Sequence, residues 1–291
     1  MTEITLLDGG MGQELIHRSP DTPTPLWSTQ VMVDHPGMVA EVHRDFARAG
    51  ATVATTNTYA IHRDRLAQTP LHDRFEALHA KALEEAADCG SARIAGSVGP
   101  LRASYRPDLH PAPEEAVPLF AEVATLLAPR CDLMLCETVA SIAHGRDVLE
   151  GARAAGKPVW LAFTVSDEDG TALRSGEPLE EAVAAVDPDA VLVNCSTPEA
   201  IPAALDILAG RGLPFGAYAN GFERITDGFL EDNPTVAALR LRRDFTPARY
   251  ADQVMRWVDA GATIVGGCCE VGPAHIAEIN RRLTGAGYTI V

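Results

Sequence analysis

Eight short apolar segments, each followed by a longer stretch with helical spacing, most constrain what this chain can fold into. They cover residues 4–7, 52–56, 93–98, 133–136, 159–164, 190–193, 214–218 and 263–265. Most are near-continuous apolar runs rather than alternating ones, the pattern of strands buried on both faces. The intervening stretches are amphipathic. In residues 38–50, Val39, Val42, Phe46 and Ala49 share one helical face and Gly50 ends the helix. Strand and helix in strict alternation predict a parallel sheet covered by helices, and eight such units in about 250 residues match a closed (β/α)8 TIM barrel. An open, doubly wound sheet is the structural rival. No Gly/Ser linker or low-complexity tract divides the chain, which predicts one domain over residues 1–291.

The bulk numbers narrow the function classes. With 291 residues and 46% hydrophobic content there is enough material for a full core. A formal net charge of −16 argues against a nucleic-acid or anionic-membrane partner, since both demand a basic surface. The first residues lack the basic and apolar regions of a secretory signal. No run approaches the roughly 18 apolar residues of a membrane helix. Six cysteines in this context do not read as a disulfide framework, so the expected compartment is a reducing cytoplasm.

The predicted strand ends are chemically loaded. In order they carry Asp8-Gly9-Gly10, Asn57-Thr58-Tyr59, Ser97-Val98-Gly99-Pro100, Glu137-Thr138, Thr164, Asn194-Cys195, Asn220-Gly221 and Cys268-Cys269. In a barrel these ends share one rim, the face that carries catalysis. Adjacent cysteines bridge to each other only through a strained ring, so a disulfide within the Cys268-Cys269 pair is a poor explanation of it. Cys195 closes another strand in the same way and supplies a third sulfur. Three thiolates at roughly 2.3 Å around Zn2+, with one open position, describe a catalytic centre, and a substrate thiol entering that position becomes a nucleophile near neutral pH. Cys89, Cys131 and Cys136 read instead as small buried hydrophobes.

Asp8 and Glu137 are the carboxylates best placed to meet a substrate ammonium; capping of the following helix is the competing role. Gly9 and Gly10 would let backbone amides approach a substrate carboxylate. Alkyl donors attacked by thiolates are sulfonium or quaternary ammonium cations, which favour aromatic faces. Trp27, Tyr59, Phe163, Tyr218 and Phe222 lie nearest the expected mouth; Trp27 and Tyr59 read as site residues and the other three as core. His62, His110 and His275 lack a second ligand at matching spacing and read as surface or capping residues. Two insertions after strands, residues 102–113 and 221–241, are candidate lids.

Taken together these stretches resemble the homocysteine S-methyltransferase family. The resemblance rests on residues 6–15 (Leu-Leu-Asp-Gly-Gly-Met-Gly-Gln-Glu-Leu), Leu26-Trp27-Ser28, Ala49-Gly50-Ala51, Asn57-Thr58-Tyr59, Gly96 to Pro100, Glu137-Thr138, Ser175-Gly176-Glu177, Asn194-Cys195 and Gly266-Gly267-Cys268-Cys269, spread over nearly the whole chain. It implies a (β/α)8 barrel, zinc on Cys195, Cys268 and Cys269, activation of the homocysteine thiol to make methionine, and binding of the homocysteine amino group by Asp8 and Glu137. Tyr59 falls where some betaine-using members place a tyrosine able to take the fourth zinc position.

Two departures bear on the methyl donor. The chain stops at Val291, without the C-terminal extension of tetrameric betaine-using relatives or the folate and cobalamin modules of large methionine synthases, so the expected donor is small and free, or delivered by a separate protein. Residues 218–220 read Tyr-Ala-Asn where relatives commonly have Tyr-Pro-Asn. The Leu26-Trp27-Ser28 stretch is similar to the S-methylmethionine-using branch, favouring S-methylmethionine or S-adenosylmethionine over betaine or dimethylsulfoniopropionate. Two rival functions remain at this point: a zinc barrel accepting methyl from a corrinoid protein, and a lyase or isomerase using Asp8 and Glu137 with Mg2+.

Overall fold

The computed structural model describes residues 2–22, 24, 26–226, 228, 230 and 239–291. Nine strands run through them: β1 (Glu3–Leu6), β2 (Val53–Thr55), β3 (Arg93–Val98), β4 (Leu133–Val139), β5 (Val159–Phe163), β6 (Ala190–Asn194), β7 (Phe215–Tyr218), β8 (Ile264–Val265) and β9 (Thr289–Ile290). All pair in parallel, in the order β2-β3-β4-β5-β6-β7-β8-β1-β9. The eight predicted strands are all present. β9 escaped notice because a two-residue strand is too short to carry a periodic signal.

The sheet curls so that its first two strands meet. A parallel bridge joins Leu7 to Val53. Thr52 N donates to Leu6 O (2.8 Å), and Asp8 N to Val53 O (3.1 Å). Both faces are buried, which explains the apolar runs. On β5, Val159, Leu161 and Phe163 pack toward the helices, while Trp160 and Ala162 join a second cluster with Leu133, Leu135, Ala190 and Leu192. The helix Met38–Ala49 buries Val39, Val42, Phe46 and Ala49 as its spacing predicts, and Gly50 ends it at φ +109°. Among the described residues, no helix is long and apolar enough to cross a membrane.

β4 departs from regularity where the chemistry lies. Cys136 pairs with Leu161 but Val139 with Phe163, so one extra residue bulges between them. Thr138 sits there at φ +58°. Its freed amide donates to Asn194 Oδ1 (3.0 Å), so the residue before Cys195 holds the kink beside Glu137.

The turn after β8 is wedged against the loop after β1. Gly10 N donates to Val271 O (3.0 Å), and Val271 N to Cys268 O (3.1 Å). A Cβ on Gly10 would lie 2.5 Å from Cys268 O, and one on Gly267 would lie 2.0 Å from the Val271 side chain. The glycines are there for backbone approach. Gly10→Ala is expected to cost about 1–3 kcal/mol through overpacking, read as a lower urea midpoint with an unchanged m-value.

Candidate active site

The edge of β7 gathers the cysteines. Cys195 N donates to Tyr218 O (3.3 Å) from one side and Cys268 N to Ala219 O (3.0 Å) from the other, while Gly221 N donates to Cys269 O (2.9 Å). The sulfurs of Cys195, Cys268 and Cys269 all lie within 4.8 Å of one another, and they form the cluster among the described residues able to hold a metal ion. Cys195 is buried and the other two half-buried, at the wall of a cavity of about 900 Å3. Three soft donors converging beside a cavity fit a zinc ion with an open position.

The convergence takes a form that the three-thiolate expectation did not include: Cys195 and Cys268 are joined as a disulfide, and Cys269 is the free thiol of the trio. The physical reason is proximity. Their Cα atoms stand 5.8 Å apart, inside the span of a disulfide, so the spacing that lets two sulfurs share a cation also lets them bond to each other.

Neither acid caps a helix. Asp8 accepts from Thr55 N (2.7 Å) and Thr55 Oγ1 (2.7 Å). Glu137 accepts from Ser97 Oγ (2.5 Å) and the Tyr218 hydroxyl (3.1 Å). The helix after β4 is capped instead by Ser141. Burial pushes Asp8 up to about 7 against the pull of its Thr55 hydrogen bonds, and the charge of Glu137 adds to the rise. Burial likewise pushes Glu137 up to about 7 against the Ser97 and Tyr218 hydrogen bonds. Both acids line the cavity.

Trp27 and Tyr59 meet edge to face at 6.1 Å between centroids and line the same cavity, as do Tyr218, Phe222 and Tyr105. Trp27 Nε1 donates to Gln13 Oε1 (3.1 Å), and Gln13 Nε2 donates to Glu270 Oε1 (2.5 Å), which ties the indole to the residue after Cys269. The Tyr59 hydroxyl bonds Ser104 Oγ (2.8 Å).

Three expectations change. Tyr218 and Phe222, read as core, line the cavity, whereas Phe163 is in the helix-facing core as read. The Gly10 amide is committed to Val271 O rather than to a substrate; Gly9 and Gly10 line the cavity as close-approach residues. Of the insertion at 221–241, residues 227, 229 and 231–238 lie outside the described residues, whereas residues 102–106 of the other insertion line the cavity.

The cysteine assignments hold, but of the three histidines read as surface or capping residues only His275 takes a capping role. Cys89, Cys131 and Cys136 are buried core. His110 pairs with Asp147 (2.8 Å), His275 accepts from Gly272 N (3.2 Å), and His62 is buried among apolar side chains near Phe120.

Sequence reading missed the ion pair of Arg174 with Asp167 (2.8 Å), side chains only 13% and 10% exposed. Asp167 also accepts from Thr197 N (3.1 Å) and Ile225 N (3.0 Å), and Arg174 reaches Cys195 O (3.4 Å). The pair therefore braces three loops around Cys195. Its members lie in an ordinary charged loop past β5, and nothing in their spacing marks them.

A family profile described as homocysteine S-methyltransferase matches residues 5–283. The chain is 33% identical to the homocysteine S-methyltransferase of Escherichia coli K12, over 96% of this chain and 95% of the relative. It is 26% identical to a selenocysteine Se-methyltransferase of Brassica oleracea, over 96% and 88%. The crystal structure of the homocysteine methyltransferase MmuM from Escherichia coli superposes in its metallated form with a TM-score of 0.78 and in its oxidized form with 0.79, each at 30% identity and 96% coverage of both chains. With the profile spanning nearly all of it, this chain is a methyltransferase and belongs to the homocysteine S-methyltransferase family.

Proposed function

We propose that the protein is a closed (β/α)8 barrel, one domain over residues 1–291, that moves a methyl group from a small cationic donor to the thiol of homocysteine and so makes methionine. The observation that carries this is the convergence of three sulfurs on a cavity whose wall also holds two buried acids and an aromatic corner. In the reduced protein Cys195, Cys268 and Cys269 hold zinc. Zinc there supplies a Lewis acid that lowers the pKa of a substrate thiol, giving a thiolate near neutral pH.

The chain's own groups do the rest. Asp8 and Glu137 take the homocysteine ammonium and turn the thiol toward the cysteines. Trp27 and Tyr59 seat the donor cation. The thiolate forms a bond to the methyl carbon as the carbon–sulfur or carbon–nitrogen bond of the donor breaks, its electron pair leaving with the donor and the thiol proton passing to solvent. The leaving group is a neutral thioether or amine. S-methylmethionine and S-adenosylmethionine are the favoured donors, with betaine, dimethylsulfoniopropionate or a corrinoid protein as alternatives. A reducing cytoplasm keeps the cysteines available.

Zinc-loaded, reduced protein given homocysteine and each small donor in turn is expected to form methionine with at least one of them. Absence of product with all of them, at full zinc content, would overturn the free-donor reading. Cys269→Ala is expected to lose zinc and turnover together, measured as metal per chain and methionine formed. Glu137→Gln is expected to keep its zinc and to raise the homocysteine KM by about 10- to 100-fold, the cost of a charge-assisted contact.

The acids also set a pH dependence. Both carboxyls are raised to about 7, so below that pH they are neutral and above it they are charged. Affinity for an ammonium therefore grows as pH rises through about 7. Methionine, which has no thiol to ionise, is expected to bind more tightly at about pH 8 than at about pH 6 by calorimetry. Glu137→Gln should flatten that dependence.

A further inference from the structure

We propose that Arg65 is a specificity-determining residue of the methyl-donor subsite, receiving a carboxylate carried by the donor, so that the protein takes zwitterionic donors over donors that are cations alone. This rests on the methyl-transfer reading above.

Three arginines line the cavity: Arg65, Arg102 and Arg106. Arg102 pairs with Glu115 and Asp64, and Arg106 with Asp108 (2.7 Å). Arg65 has no carboxylate partner among the described residues. Its chain neighbour Asp64 is occupied elsewhere, accepting backbone amides from Arg65 (2.9 Å) and Arg102 (2.6 Å). Among the described residues the Arg65 guanidinium makes one hydrogen bond, Nη2 to Ser104 Oγ (3.2 Å), and its buried Nε finds no acceptor there. A half-buried guanidinium with unused donors at a cavity wall is matched by a planar, bidentate acceptor, which is the shape of a carboxylate.

Its position says which substrate carries that group. Arg65 Cζ lies 5.7 Å from the Tyr59 ring centroid, and the Tyr59 hydroxyl shares the Ser104 hydroxyl with it. Tyr59 is the same ring that meets Trp27 at 6.1 Å. The aromatic corner for a sulfonium or ammonium and the unpaired guanidinium are thus built on one side chain. A cation placed at that corner without an anion of its own is repelled by Arg65 across a short, partly desolvated gap. A donor bearing a carboxylate a few bonds from its cation turns that repulsion into an ion pair. Asp8 and Glu137, lining the same cavity, offer the opposite charge.

A matched pair of donors separates a donor carboxylate from that of homocysteine. Dimethylsulfoniopropionate and trimethylsulfonium differ by the carboxylate arm. Wild-type protein is expected to prefer the former strongly in kcat/KM. In Arg65→Gln the preference is expected to shrink by about 10- to 100-fold, through loss with dimethylsulfoniopropionate alone, at unchanged zinc content and unchanged homocysteine KM. Arg65→Lys should recover part of it. A rise in homocysteine KM with the donor preference intact would overturn the proposal and give Arg65 to the acceptor. Equal losses with both donors would overturn it in favour of a role in folding. A wild-type protein that methylates homocysteine from no small donor defeats the underlying reading, a result visible before any Arg65 variant is made.

Discussion

The site depends on the backbone carbonyls at the end of one strand. Tyr218 O and Ala219 O, at the edge of β7, accept the amides of Cys195 and Cys268, so two loops separated by 73 residues are registered on a common edge. Parallel neighbours make this possible, because their C-terminal ends point the same way and lie side by side. Tyr250 locks the edge. Its hydroxyl accepts from Ala219 N (3.1 Å) and donates to Gly266 O (2.8 Å), tying the end of β7 to the residue after β8. Where Tyr-Pro-Asn is the common pattern, alanine at 219 adds an amide that proline lacks, and Tyr250 is the group that satisfies it.

Around that edge the charges are arranged by burial. Asp8 and Glu137 are 3% and 9% exposed, and desolvation dominates their acidity, so each is poised between neutral and charged near physiological pH. The donors around them are hydroxyls and a backbone amide rather than cations, which leaves their negative charge available to a ligand. Arg174 and Asp167 do the reverse. They spend their charges on each other and on loop backbone, serving as a brace rather than a binding group. A chain with net charge −16 thus keeps its functional charges few and separated.

Legibility followed distance along the chain. The strand and helix pattern was readable because burial on both faces of a parallel strand imposes a continuous apolar run, as at Val159 to Phe163 and Ala190 to Val193. The cysteines and acids were readable because each sits at or just past a strand end. What stayed hidden depended on partners: the disulfide state of Cys195 and Cys268, the choice of Asp8 for Thr55 rather than a helix cap, the Gln13–Glu270 link, and the bulge at Thr138 held by Asn194.

By itself the sequence determined the parallel α/β architecture, the rim on which the chemistry stands and the residue types available there, since periodicity and turn chemistry are local properties. The tertiary structure alone decided which of those residues meet. Three sulfurs within 4.8 Å, two acids raised to about 7 and an arginine without a carboxylate among the described residues are consequences of where the loops pack and how much water they exclude. Neither quantity is encoded in any single stretch of the chain.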